Sequence, residues 1–315
     1  MSELSFRSGR ASDLETAYQL GETAWDESRH ARGLIPQHQK RSHADLQEAW
    51  PRDKPLVEFL TAQQGGSFVV CEEGDEMVGF VVVSHFPEMD ELTELWVASS
   101  HSGRGVRRGL LERCWPSSPT PELGRIVVAI GTPEDLTLFT DFGVMPVSGH
   151  WQMRHRLDSY LEQRAHEVDS TEPDVHVLTP DRAIEEWRRL EPEVIGHDRT
   201  SLQDFFSRTR NCLATVDTQS GRATAVCWVD ANGAIGPAVG EHPEDLIPVV
   251  LAGLDRVAKM QEPETLRVFC TTASWWLMDR LRRLGFRVHW GGWIMSSVPL
   301  PGLDRYLPTD PVRVL

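Results

Sequence analysis

The stretch "ELWVASSHSGRGVRRGLLERC", residues 94–114, joins a strand-like run to a helix-like run through a glycine-rich bend. Val106, Leu110, Leu111 and Cys114 recur at helical spacing, so a helix begins just after Gly105. A strand that turns through glycines into a helix aims successive main-chain N–H groups, and the positive end of the helix dipole, at one spot. That spot suits a phosphate. Gly103 and Gly105 are expected to let the backbone come close to it, with Arg104, Arg107 and Arg108 adding charge-assisted contacts. A Walker loop does not fit because no G-K-S or G-K-T follows, and a dinucleotide fingerprint does not fit because it needs glycine at three set positions.

Outward from this stretch, "LSFR" reads as a strand, and Ser12 with Glu15 predicts a capping box before a helix carrying Leu14, Tyr18 and Trp25. A hairpin with arms at 67–71 and 77–84 follows, then strands at 92–98 and 125–130, a short helix at 133–142 and the strand "SGHWQM". The second half repeats this order. "VHVL" precedes a helix with Thr179 as N-cap and Pro180 at its first position, and "CLATV" and "TAVCWV" make a hairpin. "GAIGPAVG" replaces the strand before a long helix at 245–259; "LRVFCTT", a helix at 275–284 and "WGGWIM" complete the half. A shift of 142 pairs Gly143 with Gly285, Gly149 with Gly291, Trp151 with Trp293 and Met153 with Met295. The shared order makes this a duplication, joined in the polar stretch 163–174, with domains at 1–165 and 166–315.

Residues 94–108 resemble motif A of the GNAT acyltransferase superfamily, Gln/Arg-x-x-Gly-x-Gly/Ala after a strand ending in an apolar-x-Val triplet, and "LTLFTDFGV" resembles a later helix end of the same superfamily. The resemblance covers the whole chain as two copies. It implies an α/β (mixed α+β) fold of two tandem GNAT domains, each a mixed, mostly antiparallel central sheet flanked by helices. It also implies transfer of an acyl group to an amine, with acetyl-CoA or another acyl-CoA as co-substrate. On that pattern Leu95, Trp96 and Val97 are the strand end that holds the pantetheine and thioester. Ser102, Gly103, Arg104, Gly105, Val106, Arg107 and Arg108 form the pyrophosphate loop, and Thr132 and Phe139 complete the cofactor-binding set.

Three residues depart from the pattern: Ser102 replaces Gln or Arg, Arg107 replaces the second Gly or Ala, and Phe139 replaces a tyrosine that often protonates the leaving thiolate. Loss of a general acid costs ~10²- to 10⁴-fold. The resemblance makes Glu94 the candidate base, since it precedes the motif on the fourth strand, where many relatives of the superfamily carry a catalytic glutamate, and alternation puts it on the face of Trp96; Glu91 is a weaker substitute. Two other readings keep the same loop: a non-catalytic acyl-CoA-binding protein, and a GNAT-like decarboxylase of a malonyl-type thioester. In the second half the matching loop is "GEHPEDLIP", whose Glu241, Glu244 and Asp245 would repel a pyrophosphate, and Leu281 stands where Phe139 does. This copy is expected to be degenerate, with Trp275, Trp276, Trp290 and Trp293 read as core packing, the alternative being an acceptor pocket.

With 315 residues and 40% hydrophobic content, the chain is long enough for two cores. A formal charge of −15 repels nucleic acid. No apolar run reaches 18 residues and the N-terminal stretch lacks a secretory pattern, so a cytoplasmic protein without membrane contact is expected. Five scattered cysteines, none in C-x-x-C spacing, point to buried thiols and to neither a disulfide framework nor a metal site. By resemblance to where the superfamily builds its acceptor site, segments 24–33 and 84–91 and the tryptophan-rich end of the second copy are the expected pocket walls, so that Asp26, Glu27, Glu88 and Asp90 favour a small molecule with a cationic amine; the expected assembly is a monomer or homodimer. His85, His101 and His150 are secondary candidates for proton relay.

Overall fold

The computed structural model describes residues 3–115, 123–130, 132–167, 174–309 and 313–315. They fall into two compact units, Met1–Val127 with Leu136–Val144, and Val128–Asp135 with Met145–Leu315. The units therefore do not part at residue 165, since residues 145–165 lie in the second unit. Residues 168–173 of the expected join lie outside the described residues.

In the first unit β1 (Leu4–Ser8) is followed by α1 (Leu14–Ala31) and α2 (His43–Thr61), then by β2 (Ser67–Glu73), β3 (Glu76–Phe86) and β4 (Met89–Val97). Next come α3 (Val106–Cys114), β5 (Gly124–Ala129), which begins in this unit, and α4 (Pro133–Asp141), which ends in it. Strand order is β1-β2-β3-β4-β5, antiparallel except for the parallel pair β4 and β5. The expected capping box at Ser12 and Glu15 is not what starts α1. Arg7 pulls Asp13 into an ion pair of 2.6 Å, Asp13 accepts the Arg10 N–H at 2.7 Å, and a 3-10 turn at Ala11–Asp13 precedes the helix. Helix α2 lies in a stretch to which the sequence reading assigns no element, and it carries Pro51 and Pro55 inside it. It starts with a reciprocal cap, in which Ser42 accepts from the Asp45 N–H (3.2 Å) and Asp45 from the Ser42 N–H (2.7 Å).

The second unit opens with β6 (Met145–Arg156), α5 (Leu157–Glu167), β7 (Val175–Leu178), α6 (Pro180–Leu190), α7 (Pro192–Ile195) and α8 (Thr200–Thr209). It continues with β8 (Arg210–Val216), β9 (Ala223–Asp230), β10 (Ile235–Gly240), α9 (Leu246–Gln261), β11 (Thr265–Thr271), α10 (Trp275–Arg283), β12 (Arg287–Ser296) and β13 (Tyr306–Leu307). "GAIGPAVG" does not replace a strand; it forms β10, which pairs with β9 around a bulge between Ile235 and Ala238. Strands β12-β6-β11 are neighbours, as are β13-β10-β9-β8-β7. A core of Leu, Val and Ile from α9, α10, β9, β10 and β11 fills the unit. Here the duplicated strands meet each other. β6 pairs antiparallel with β12, Trp151 opposite Gly291 and Gly149 opposite Trp293, so a local two-fold axis relates the two copies of the motif.

Candidate functional site

In the first unit the register of β4 with β5 ends at Leu92 opposite Val127, while β4 runs on to Val97 against β3. Between Leu92 and Glu94 the register with β3 shifts, so Thr93 is the extra residue of a bulge. Beyond it Glu94 faces Val82 and Trp96 faces Phe80 across the ladder. A 3-10 turn at Ser99–His101 then leads through Ser102, Gly103, Arg104 and Gly105 into α3. The sequence-predicted set 94–108 is thus one continuous arch from strand end to helix start.

Gly105 is the N-cap of α3, with φ of 76°, and brings no side chain to satisfy the first helical N–H groups. Gly103 has φ of 77°. A Cβ at either glycine would meet nothing within 4 Å, so the left-handed backbone, rather than crowding within the chain, calls for glycine. Val106 is buried and anchors the arch, whereas Ser102, Gly103, Gly105 and Arg108 are exposed. Two of the arginines are paired with carboxylates of the chain. Arg104 is paired with Glu73 at 2.8 Å, and Glu73 also meets His101 Nε2 at 2.9 Å. These bonds from Arg104 and His101 hold the Glu73 carboxyl down at about 2 and tie the arch to the end of β2. Arg108 pairs with Asp141 and lies 5.9 Å from the Phe142 ring. Arg107 is half-buried.

Glu94 is half-buried and accepts a hydrogen bond from the Trp96 indole N–H. Trp96 packs beside Ala17, Phe80 and Val82, and its ring lies 6.1 Å from Trp25 of α1. Phe139 is buried and offers no proton. Each tyrosine is engaged elsewhere: Tyr18 donates to Asp53 (2.7 Å), Tyr160 to Asp255 (2.6 Å) and Tyr306 to the Leu315 carbonyl (2.9 Å). Thr132 accepts the Asp135 N–H at 3.0 Å, the role of a helix cap.

Two carboxylates of the acidic wall expected to attract a cationic acceptor, Asp26 and Asp90, are paired within the chain. Asp26 is buried and bound by the main chain and guanidinium of Arg41 (both 2.9 Å) and by Arg29. Burial alone would raise its carboxyl, but the hydrogen bonds from Arg41 and Arg29 hold it below its ordinary value. Asp90 pairs with His85 Nδ1 at 2.9 Å. Sequence reasoning missed these pairings because Arg41 is 15 residues from Asp26 and no local pattern marks it. His150 is wholly buried, stacked on Phe269 at 4.8 Å, with no hydrogen-bond partner at either ring nitrogen, and burial pushes it down to about 3.

The matching region of the second unit is closed by its own chain. Asp245 accepts the His242 N–H at 2.9 Å, Glu241 pairs with Arg189 at 2.6 Å, and a Cβ at Gly240 would lie 2.8 Å from the His242 carbonyl. β13 pairs with β10, and Thr271 and Ser274 at the end of β11 donate to the main-chain oxygen of Leu303 (2.5 and 2.9 Å). Segment 303–307 therefore occupies the place beside β10 that β5 and the open strand end occupy beside β4. Trp275 and Trp276 are not core residues, being 67% and 59% exposed at the first turn of α10; Trp293 is also exposed and Trp290 half-buried.

Residues 26–127 match the sequence profile of the Acetyltransferase (GNAT) family. Among solved structures the chain is similar to a tandem GNAT protein from the clavulanic acid biosynthesis pathway: 18% identity, 94% of this chain and 99% of that one, TM-score 0.60. It is also similar to a GCN5-related N-acetyltransferase from Sphaerobacter thermophilus: 16% identity, 96% and 98% coverage, TM-score 0.54. At these identities the likeness is one of fold. No curated protein matches the sequence. The arch of residues 94–108 lies inside the segment that matches the acetyltransferase profile. Residues 26–127 thus match the GNAT family, and the chain as a whole shares the fold of a tandem GNAT protein. Among the described residues, no helix is long and apolar enough to cross a membrane.

Proposed function

We propose that the protein is an acyl-CoA-dependent N-acyltransferase, using acetyl-CoA and a small amine-bearing metabolite, with one active site per chain in the N-terminal copy. The observation that supports it most is the uncapped start of α3 behind Gly103 and Gly105, set at the end of a β4 that has outrun its pairing with β5. The residues present fit a pyrophosphate through the main-chain N–H groups at the start of α3, while Arg104 is held by Glu73.

The Glu94 carboxylate takes one proton from the acceptor ammonium. The freed nitrogen attacks the thioester carbonyl carbon, the C–N bond forms, and the C–S bond breaks with its electron pair going to sulfur. The second nitrogen proton reaches the leaving sulfur through water, because Phe139 has none to give. Calorimetric titration with acetyl-CoA is expected to give one site per chain, and two equal sites or none would overturn the assignment. The buried Phe139 also favours a second reading, a non-catalytic acyl-CoA-binding protein, which predicts the same stoichiometry but no thiol release with any amine. Acetyl-CoA formed from malonyl-CoA without an acceptor would instead establish decarboxylation.

A further inference from the structure

Two residues apart on β4, past the bulge at Thr93, Glu94 and Trp96 project to the face covered by α1. Trp96 is held there from several sides. Phe80 lies opposite it on β3, Trp25 of α1 is 6.1 Å away at 60°, and a Cβ at Gly21 would come within 3.0 Å of its Cδ1. Any residue larger than glycine at position 21 presses on the indole. Held in this way, the indole has little rotational freedom, and its N–H is directed at Glu94 Oε2. A charge-assisted bond from a fixed donor restricts a carboxylate that would otherwise rotate about its side-chain torsions.

We propose that Trp96 is a positioning residue, its indole N–H setting the orientation of the Glu94 carboxylate toward the acceptor amine, with Gly21 providing the space that sets the indole. This rests on the function proposed above. Positioning of a reacting group acts on the chemical step, and a misplacement of about 1 Å costs on the order of 10²-fold.

The test uses the full chain, acetyl-CoA, and a panel of glucosamine, spermidine, an aminoglycoside and an amino-acid amide, read as thiol release. With the fastest amine, Trp96→Phe keeps the ring but loses the donor; kcat is expected to fall about 10- to 100-fold with both KM values within about threefold. Gly21→Ala displaces the indole from the opposite side and is expected to lower kcat in the same way. In a Glu94→Ala background neither change is expected to cost more than about twofold, since the group they orient is gone. Thermal unfolding reports that each variant is folded. Full kcat in Trp96→Phe, a loss confined to KM, or an equal loss in the Glu94→Ala background would overturn the positioning role. Full turnover in Glu94→Gln would overturn the base assignment and this inference with it. A panel with no thiol release would overturn the catalytic reading itself.

Discussion

At Gly105 the demands of the backbone and of the proposed ligand can be separated by substitution. Its φ of 76° with open space around the Cβ position means that Gly105→Ala suffers only the left-handed penalty, about 1–2 kcal/mol. Aspartate visits that region more readily, and as an N-cap it returns about 1 kcal/mol by accepting helical N–H groups. Gly105→Asp is therefore expected to be at least as stable as Gly105→Ala, yet to lose acetyl-CoA binding by more than about 100-fold, because its carboxylate stands where the pyrophosphate is proposed. Thermal unfolding and calorimetry check the two rankings, and equal affinities would remove the arch from the site. Asp245→Asn in the second copy is expected to leave affinity unchanged. The arch and the shared face of Glu94 and Trp96 were legible because both depend on local periodicity. Partners drawn from elsewhere in the chain were not: Arg41 for Asp26, Glu73 for Arg104, and Trp25 for Trp96.

Strands β6 and β12 show how duplication becomes structure. Each carries a glycine two residues before a tryptophan, and antiparallel pairing about the local axis sets each tryptophan opposite the other copy's glycine. A Cβ at Gly291 would lie 2.4 Å from Trp151 Cδ1, so this glycine is required by the ring beside it. Gly291→Ala is expected to destabilise the protein by about 1–3 kcal/mol, the usual cost of overpacking, and by less than half of that in a Trp151→Ala background. A urea-unfolding double-mutant cycle measures the coupling, and additive effects would show that the ring moves aside freely. The repeated motif was visible in the sequence, but its self-pairing was not, since similarity says nothing of which strands neighbour each other. Composition also misled at α10. Trp275 and Trp276 have the hydrophobicity of core residues, but Leu277 and Leu281 take the inward positions and leave the tryptophans outside.

For the molecule as a whole, acid acts on stability in opposing ways. The net charge of −15 means that protonation relieves self-repulsion, which favours the folded chain as pH falls. Glu73, Asp13 and Asp26, all held below their ordinary values, act the other way: their stabilisation is present above the unfolded carboxyl range near 4 and is lost as pH falls through it. His150 acts earlier. Burial lowers it to about 3 from 6.5, so the unfolded chain binds a proton below pH 6.5 that the folded chain refuses, and stability falls with pH from 6.5 down to about 3. The limiting slope is about 1.4 kcal/mol per pH unit. His150→Phe keeps an aromatic ring against Phe269 and removes two buried nitrogens without partners, so it is expected to stabilise the protein by about 1–3 kcal/mol at pH 7.5. Its advantage is then expected to widen by about 1.4 kcal/mol for each unit between pH 6 and pH 4.5, a window above the carboxylate losses. Urea unfolding of both proteins at pH 7.5, 6.0 and 5.0 separates the contributions, since charge repulsion and the carboxylates are common to the pair. Parallel stability curves would show that His150 binds its proton equally well in the folded state, and that it has a polar partner or water the buried ring nitrogens do not display.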